Sequence, residues 1–164
     1  MPTHQDLATA ALVGIGATAV MDAWLLVLAR MGLAPLNFHL IGRWIGHMPA
    51  GRFTHVSIAK SPRVRAELAL GLLTHYVTGV AYAAGLVAIV GASWTKQPTV
   101  FPALAFGVAT VVAPFFVMQP AMGSGFAASK TPTPLKNRLR SIANHCVFGA
   151  GLYFAAAGLA QLSS

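Results

Sequence analysis

Four long apolar runs punctuate the chain, at about 7–28, 68–92, 99–118 and 142–162. Each is near or above the roughly 18 apolar residues that read as a membrane-crossing helix. Pro102 falls in the first turn of the third run, where a missing N–H is harmless; Pro114 is interior and predicts a kink. No Lys or Arg precedes the first run and Asp22 interrupts it. It therefore reads as a span and not as a cleaved leader.

The segment between the first two runs has its own pattern. Pro35 opens a short helix to Met48, with Leu36, Leu40, Ile41, Trp44, Ile45 and Met48 on one side. His39, Arg43 and His47 follow at i, i+4 and i+8 on the other. That is the arrangement of a helix lying in the membrane interface, Trp44 at headgroup depth. Pro49–Gly51 ends it, and Ser61–Pro62 reads as N-cap and first residue of the next long helix. The predicted fold is an all-α integral membrane bundle: one domain of four transmembrane helices plus a cytoplasmic interfacial helix at about 35–48.

Composition sharpens this. Hydrophobic residues make up 56% of the chain and charged ones 9%, against roughly 25% charged in soluble domains. A soluble monomer, a disordered chain and an ordinary cytosolic enzyme are excluded. The net charge of +8 is distributed unevenly: six Lys and Arg lie between the first and second runs, one between the second and third, four between the third and fourth. By the positive-inside rule the first and third connections are cytoplasmic and both termini lie outside. The cations thus report orientation and an anionic-headgroup partner, not nucleic acid. His39, Arg43, Trp44, Arg138 and Arg140 are the candidate headgroup contacts. A single cysteine, Cys146, excludes an intrachain disulfide and a multi-cysteine metal cluster.

Polar residues inside the runs carry the candidate chemistry. Asp22, His75, Gln119 and the Asn144–His145 pair each fall within about 12 Å of the cytoplasmic edge, at 1.5 Å per helical residue. Ionisable groups in hydrocarbon are expensive and default to a functional hypothesis. Imidazoles with a carboxylate suit Zn, Fe, Cu or Ni, and His47 and His55 in the adjoining connection would close such a set. The same layer would relay protons, or simply pair helices. No metal motif is present: His47 and His55 are eight apart, and no helix carries a His pair at i+3 or i+4. Gly123–Ala128 matches G-x-G-x-x-A but follows a span, not a strand, and reads as a re-entry turn. Met118, Met122 and Cys146 read as packing residues. No G-x-S-x-G or other nucleophile set is visible, so the sequence assigns no reaction.

The strings Gly42–Arg43–Trp44–Ile45–Gly46–His47–Met48–Pro49–Ala50–Gly51–Arg52–Phe53, Leu73–Thr74–His75–Tyr76, Pro114–Phe115–Phe116–Val117–Met118–Gln119–Pro120 and Ala143–Asn144–His145–Cys146 resemble an uncharacterised family of small four-span bacterial inner-membrane proteins, a domain of unknown function. The resemblance implies a bacterial inner-membrane location and supplies no activity. Three readings stay open: a metal or small-ligand site at Asp22, His75, Gln119, His145, His47 and His55; a non-catalytic scaffold or accessory subunit; and a proton-coupled carrier, whose translocation volume a homo-oligomer would supply.

Overall fold

Apolar runs too long for a soluble core become helices because only intrahelical bonds satisfy the backbone in hydrocarbon. A computed structural model describes residues 4–33 and 36–162, and these contain helices and turns but no strand. The helices are α1 His4–Arg30, α2 Phe38–His47, α3 Glu67–Val90, α4 Val100–Ala109 and α5 Pro134–Leu162. After a turn at Thr110–Val111, the α4 run resumes as a π turn over Pro114–Met118 and a short helix over Gln119–Ala121. Four stretches, His4–Arg30, Glu67–Val90, Val100–Ala121 and Pro134–Leu162, are long and apolar enough to cross a membrane. Large apolar side chains cover their outer surfaces, Phe101 81% and Ile89 74% exposed, a surface suited to lipid and not to water.

The expected kink at Pro114 is present as a π turn. Proline has no N–H to return to the preceding turn, and the widened turn accommodates its ring. Two boundaries differ from the sequence reading. Ser61–Pro62 does not start α3, which begins at Glu67 after Ala66 in a left-handed conformation (φ +60°); the Pro62 carbonyl instead faces His47 Nε2 at 3.0 Å. α5 begins at Pro134, so Lys136, Arg138 and Arg140 lie on a helix and not in a loop. Pro35, expected to open α2, lies outside the described residues; Asn37 caps the helix, its side chain accepting from the Leu40 N–H.

The chain divides into two compact units. The first comprises residues 1–35, 76–110 and 144–164. Its helices approach closely through small residues. A Cβ on Gly14 would meet the Val80 backbone at 2.6 Å, and one on Gly107 would collide with the backbone of Gly149. Around these crossings Val13, Ala17, Leu86 and Leu152 form the buried core, and Tyr82 packs edge-on against Phe106 and Phe148.

The second unit comprises residues 36–75 and 111–143. Here α2 lies against the start of α3 so tightly that a Cβ on Gly42 would overlap the Glu67 carbonyl, and one on Gly71 the Phe38 carbonyl. This contact decides which face of α2 turns inward. Ile41, Gly42, Arg43 and His47 are buried, while His39 is exposed. The face expected to meet headgroups is thus largely an interior face, because glycine at 42 makes it the flat one.

Candidate functional site

In the first unit the polar residues form short pairs. Tyr76 donates to Asp22 Oδ2 at 2.8 Å, and Trp24 Nε1 donates to Asn144 Oδ1 at 3.0 Å. The Thr110 hydroxyl donates to the Gly107 carbonyl and lies 2.7 Å from His145 Nδ1. With its one proton spent on Gly107, Thr110 accepts, so His145 carries its proton on Nδ1. These bonds tie α1 to α3, α1 to α5, and the end of α4 to α5. Tyr76, Trp24 and Thr110 were not picked out as site residues from the sequence. A polar neighbour one residue along from His75, and a threonine in the middle of an apolar run, were the only signals.

The second unit is built around one acid. Arg43 Nε donates to Glu67 Oε1 at 2.7 Å and its Nη2 to Oε2 at 3.1 Å. Its Nη1 reaches the carbonyls of Ile58, Ala59 and Ser61 at 3.0–3.3 Å. Glu67 Oε1 also accepts from the Val64 N–H at 2.9 Å. The hydrogen bond to Glu67 raises the Arg43 pKa above its ordinary value, outweighing the opposing effect of burial. Arg43 was expected at lipid headgroups. It is 7% exposed and engaged on both edges inside the protein, because the planar fork matches a carboxylate on one side and loop carbonyls on the other. Trp44, also expected there, donates its Nε1 to the Phe53 carbonyl at 2.8 Å. Arg138 donates its Nε to the Ala127 carbonyl at 2.8 Å.

That stitched loop brings His55 to His47. His47 Nδ1 lies 3.0 Å from His55 Nε2, with ring centroids 5.0 Å apart. The tautomers follow from the partners. The Pro62 carbonyl only accepts, so the His47 Nε2 facing it at 3.0 Å carries a proton. In neutral His47 the Nδ1 is then a lone pair, and His55 Nε2 must donate to it. Neutral His55 is left with a lone pair on Nδ1, which is buried and has no hydrogen-bond partner among the described residues. A buried unsatisfied acceptor costs about 1–3 kcal/mol.

The same strip holds a second such atom. The His55 N–H donates to the Ala121 carbonyl at 2.8 Å, and the Ile58 N–H to Met122 at 3.0 Å. Two residues before Ala121, directly after the π turn, Gln119 Oε1 is also buried without a partner among the described residues. The Gln119 amide nitrogen makes a long bond of 3.5 Å to Ser141 Oγ. Gly123 permits this approach: it has φ +92°, and a Cβ there would collide with the Val56 carbonyl. His75, in the same unit, packs against Phe38 with ring centroids 4.9 Å apart and the ring planes tilted by 48°.

Of the six residues proposed from sequence, His47 and His55 are thus joined directly, and Gln119 lies on the segment hydrogen-bonded to His55. Among the described residues no group of three His, Cys, Asp or Glu is placed to hold a metal ion. The second unit holds instead one imidazole nitrogen and one amide oxygen, both buried and without a hydrogen-bond partner among the described residues. No curated protein and no solved structure matches the chain. A family described as protein of unknown function (DUF2938) matches residues 11–159, a span that takes in His47, His55 and Gln119 and nearly all of the four long helical stretches; the chain belongs to that family.

Proposed function

We propose that this is an integral membrane protein that binds a small neutral solute through its N–H or O–H groups, at His55 Nδ1 and Gln119 Oε1. In this reading the four long helices cross a bacterial inner membrane, the basic connections face the cytoplasm and both termini lie outside. The observation that carries the binding site is the lone pair left on His55 Nδ1 by the chain of bonds that begins at the Pro62 carbonyl. Each imidazole in that chain polarises the next, which strengthens the terminal acceptor.

Charge argues for a neutral ligand. The only acid of the second unit, Glu67, is engaged by Arg43, so a bound cation would find no counter-charge there. One imidazole nitrogen and one amide oxygen are also too few donors for tight transition-metal binding. The π turn that precedes Gln119 supports a ligand site, since such turns recur at functional positions and irregular backbone in spans lines polar sites.

The test uses detergent-purified protein carrying ¹⁵N-histidine, titrated with acetamide and urea. The reading expects His55 to be protonated on Nε2 alone, and its Nδ1 resonance to move saturably with these neutral donors. Gln119→Leu weakens that response, and zinc chloride leaves no stoichiometric metal on the protein. A proton found on His55 Nδ1, or a drift that never saturates and is the same in Gln119→Leu, overturns it.

A further inference from the structure

Charge is strongly segregated between the two units. Nine of the eleven Lys and Arg but one of the three acids belong to the second unit, while the first has two of each and is neutral. The one acid, Glu67, is committed to Arg43. Eight cations of the second unit are therefore uncompensated, and Arg52, Lys60 and Lys130 among them are exposed.

The loops that bear these cations also present apolar side chains. Val56 is 98% exposed, Phe53 58% and Phe126 63%. None is on a helix long enough to span a membrane, so helix-facing lipid does not account for them. The loops lie side by side: His55 and Ile58 hydrogen-bond to Ala121 and Met122, the Val56 carbonyl abuts Gly123, and Phe126 packs on the exposed Phe116 with centroids 6.3 Å apart. They are also held in shape. Arg43 fixes the carbonyls of 58, 59 and 61, the Phe53 carbonyl accepts from Trp44, and that of Ala127 accepts from Arg138.

We infer that this pair of loops is a lipid-inserting surface, with Phe53, Val56 and Phe126 entering the headgroup–acyl boundary of an anionic leaflet while Arg52, Lys60 and Lys130 engage its phosphates. Exposed apolar side chains and cations on the same anchored loops are the combination that binds such a boundary, since burial and electrostatic attraction act together. A protein partner would have to be apolar and acidic in the same small area. A leaflet satisfies both requirements along its whole length. The inference rests on the reading of the four helices as spans and is independent of the ligand at His55.

The test begins from Cys146→Ser, which removes the single cysteine. Nitroxides are attached singly at Val56→Cys and Phe126→Cys, and at Val77→Cys on the exposed side of α3 as a control. The protein is reconstituted in vesicles of phosphatidylglycerol or of phosphatidylcholine. In phosphatidylglycerol, labels at 56 and 126 are relaxed more by oxygen than by a water-soluble nickel chelate, and the preference falls several-fold in phosphatidylcholine. Relaxation dominated by the nickel chelate in both lipids overturns the inference by placing the loops in water. Protection from both reagents overturns it by showing a protein surface, such as a second copy, on the loops. If the label at 77 also reports water, the span reading fails and takes the inference with it; failure at 56 and 126 alone removes only the loop insertion.

Discussion

Arg43 and Glu67, 24 residues apart, meet inside the second unit as a two-pronged ion pair with each side chain 8% exposed. The meeting depends on Gly42 and Gly71, whose missing side chains let α2 lie against the first turns of α3. Backbone contact sets the distance, the ion pair holds the register, and the free edge of the guanidinium holds the loop that delivers His55. The candidate site is thus downstream of a packing decision made by two glycines.

Removing one member of this pair leaves the other buried and unmatched. Arg43→Met is expected to destabilise the protein by roughly 3–5 kcal/mol, the usual cost of an orphaned interior charge. Arg43→Met combined with Glu67→Gln should recover much of the loss, because neither residual charge then remains. Arg43→Lys should behave more like the single loss, since an ammonium cannot bridge a carboxylate and three carbonyls. Thermal and denaturant unfolding in a single detergent measures all three. Equal stability of Arg43→Met and the parent would show that the pair does not hold the loop.

The glycine contacts make a sharper contrast. Gly42→Ala places a methyl on the Glu67 carbonyl, where backbone and not a flexible side chain must move. Loss of folded yield is expected, or a fall in stability of several kcal/mol for overpacking at backbone contact. Gly158→Ala, on α5 with nothing within 4 Å of the new methyl, should be neutral or gain up to about 1 kcal/mol from helix propensity. Monodisperse yield after detergent extraction and midpoint temperature separate the two.

The four long apolar helical stretches were legible because their length and hydropathy are local properties, read from each run whatever its neighbours do. The inward face of α2 was not. His39, Arg43 and His47 share a helical stripe, and a stripe of cations beside a membrane points to headgroups until its partner is known. That partner is Glu67, reached through backbone contact that no window along the chain reveals. His47 and His55 were named as candidates, yet their pairing was hidden because position 55 lies in a loop with no period. Gln119 was found for being polar at the close of an apolar run, and Tyr76 was passed over beside the more conspicuous His75, although one helical residue turns the face by about 100° and gives the two different neighbours.

The tautomer chain predicts a response at a distance of one ring. His47→Ala removes the acceptor that holds the proton of His55 on Nε2. His55 should then populate both tautomers, read as an averaging of its two ¹⁵N resonances, while His145, paired with Thr110, keeps its pattern. The Pro62 carbonyl also loses its donor. An unchanged His55 spectrum would mean that His47 does not set its tautomer.

Ala66 and Gly123 test the backbone on either side of the site in opposite directions. Ala66 has φ +60° immediately before α3, a conformation that costs a residue with a Cβ roughly 1–2 kcal/mol. Glycine there removes the steric cost and adds about 0.5–1 kcal/mol of unfolded-state entropy, so Ala66→Gly should be neutral to stabilising by about 1 kcal/mol. Gly123 has φ +92°, and its missing Cβ is the space occupied by the Val56 carbonyl. Gly123→Ala therefore incurs both backbone strain and a clash, and the strand of loop that carries His55 must separate from Ala121 and Met122. Besides lowering the unfolding midpoint, it should speed amide hydrogen exchange at His55 and Ile58, whose N–H groups donate to those two carbonyls. Ala66→Gly should leave that exchange unchanged. If Gly123→Ala preserved the protection at both amides, the loop would not depend on this close approach, and the pairing of the His55 segment with Ala121 and Met122 would need another physical basis.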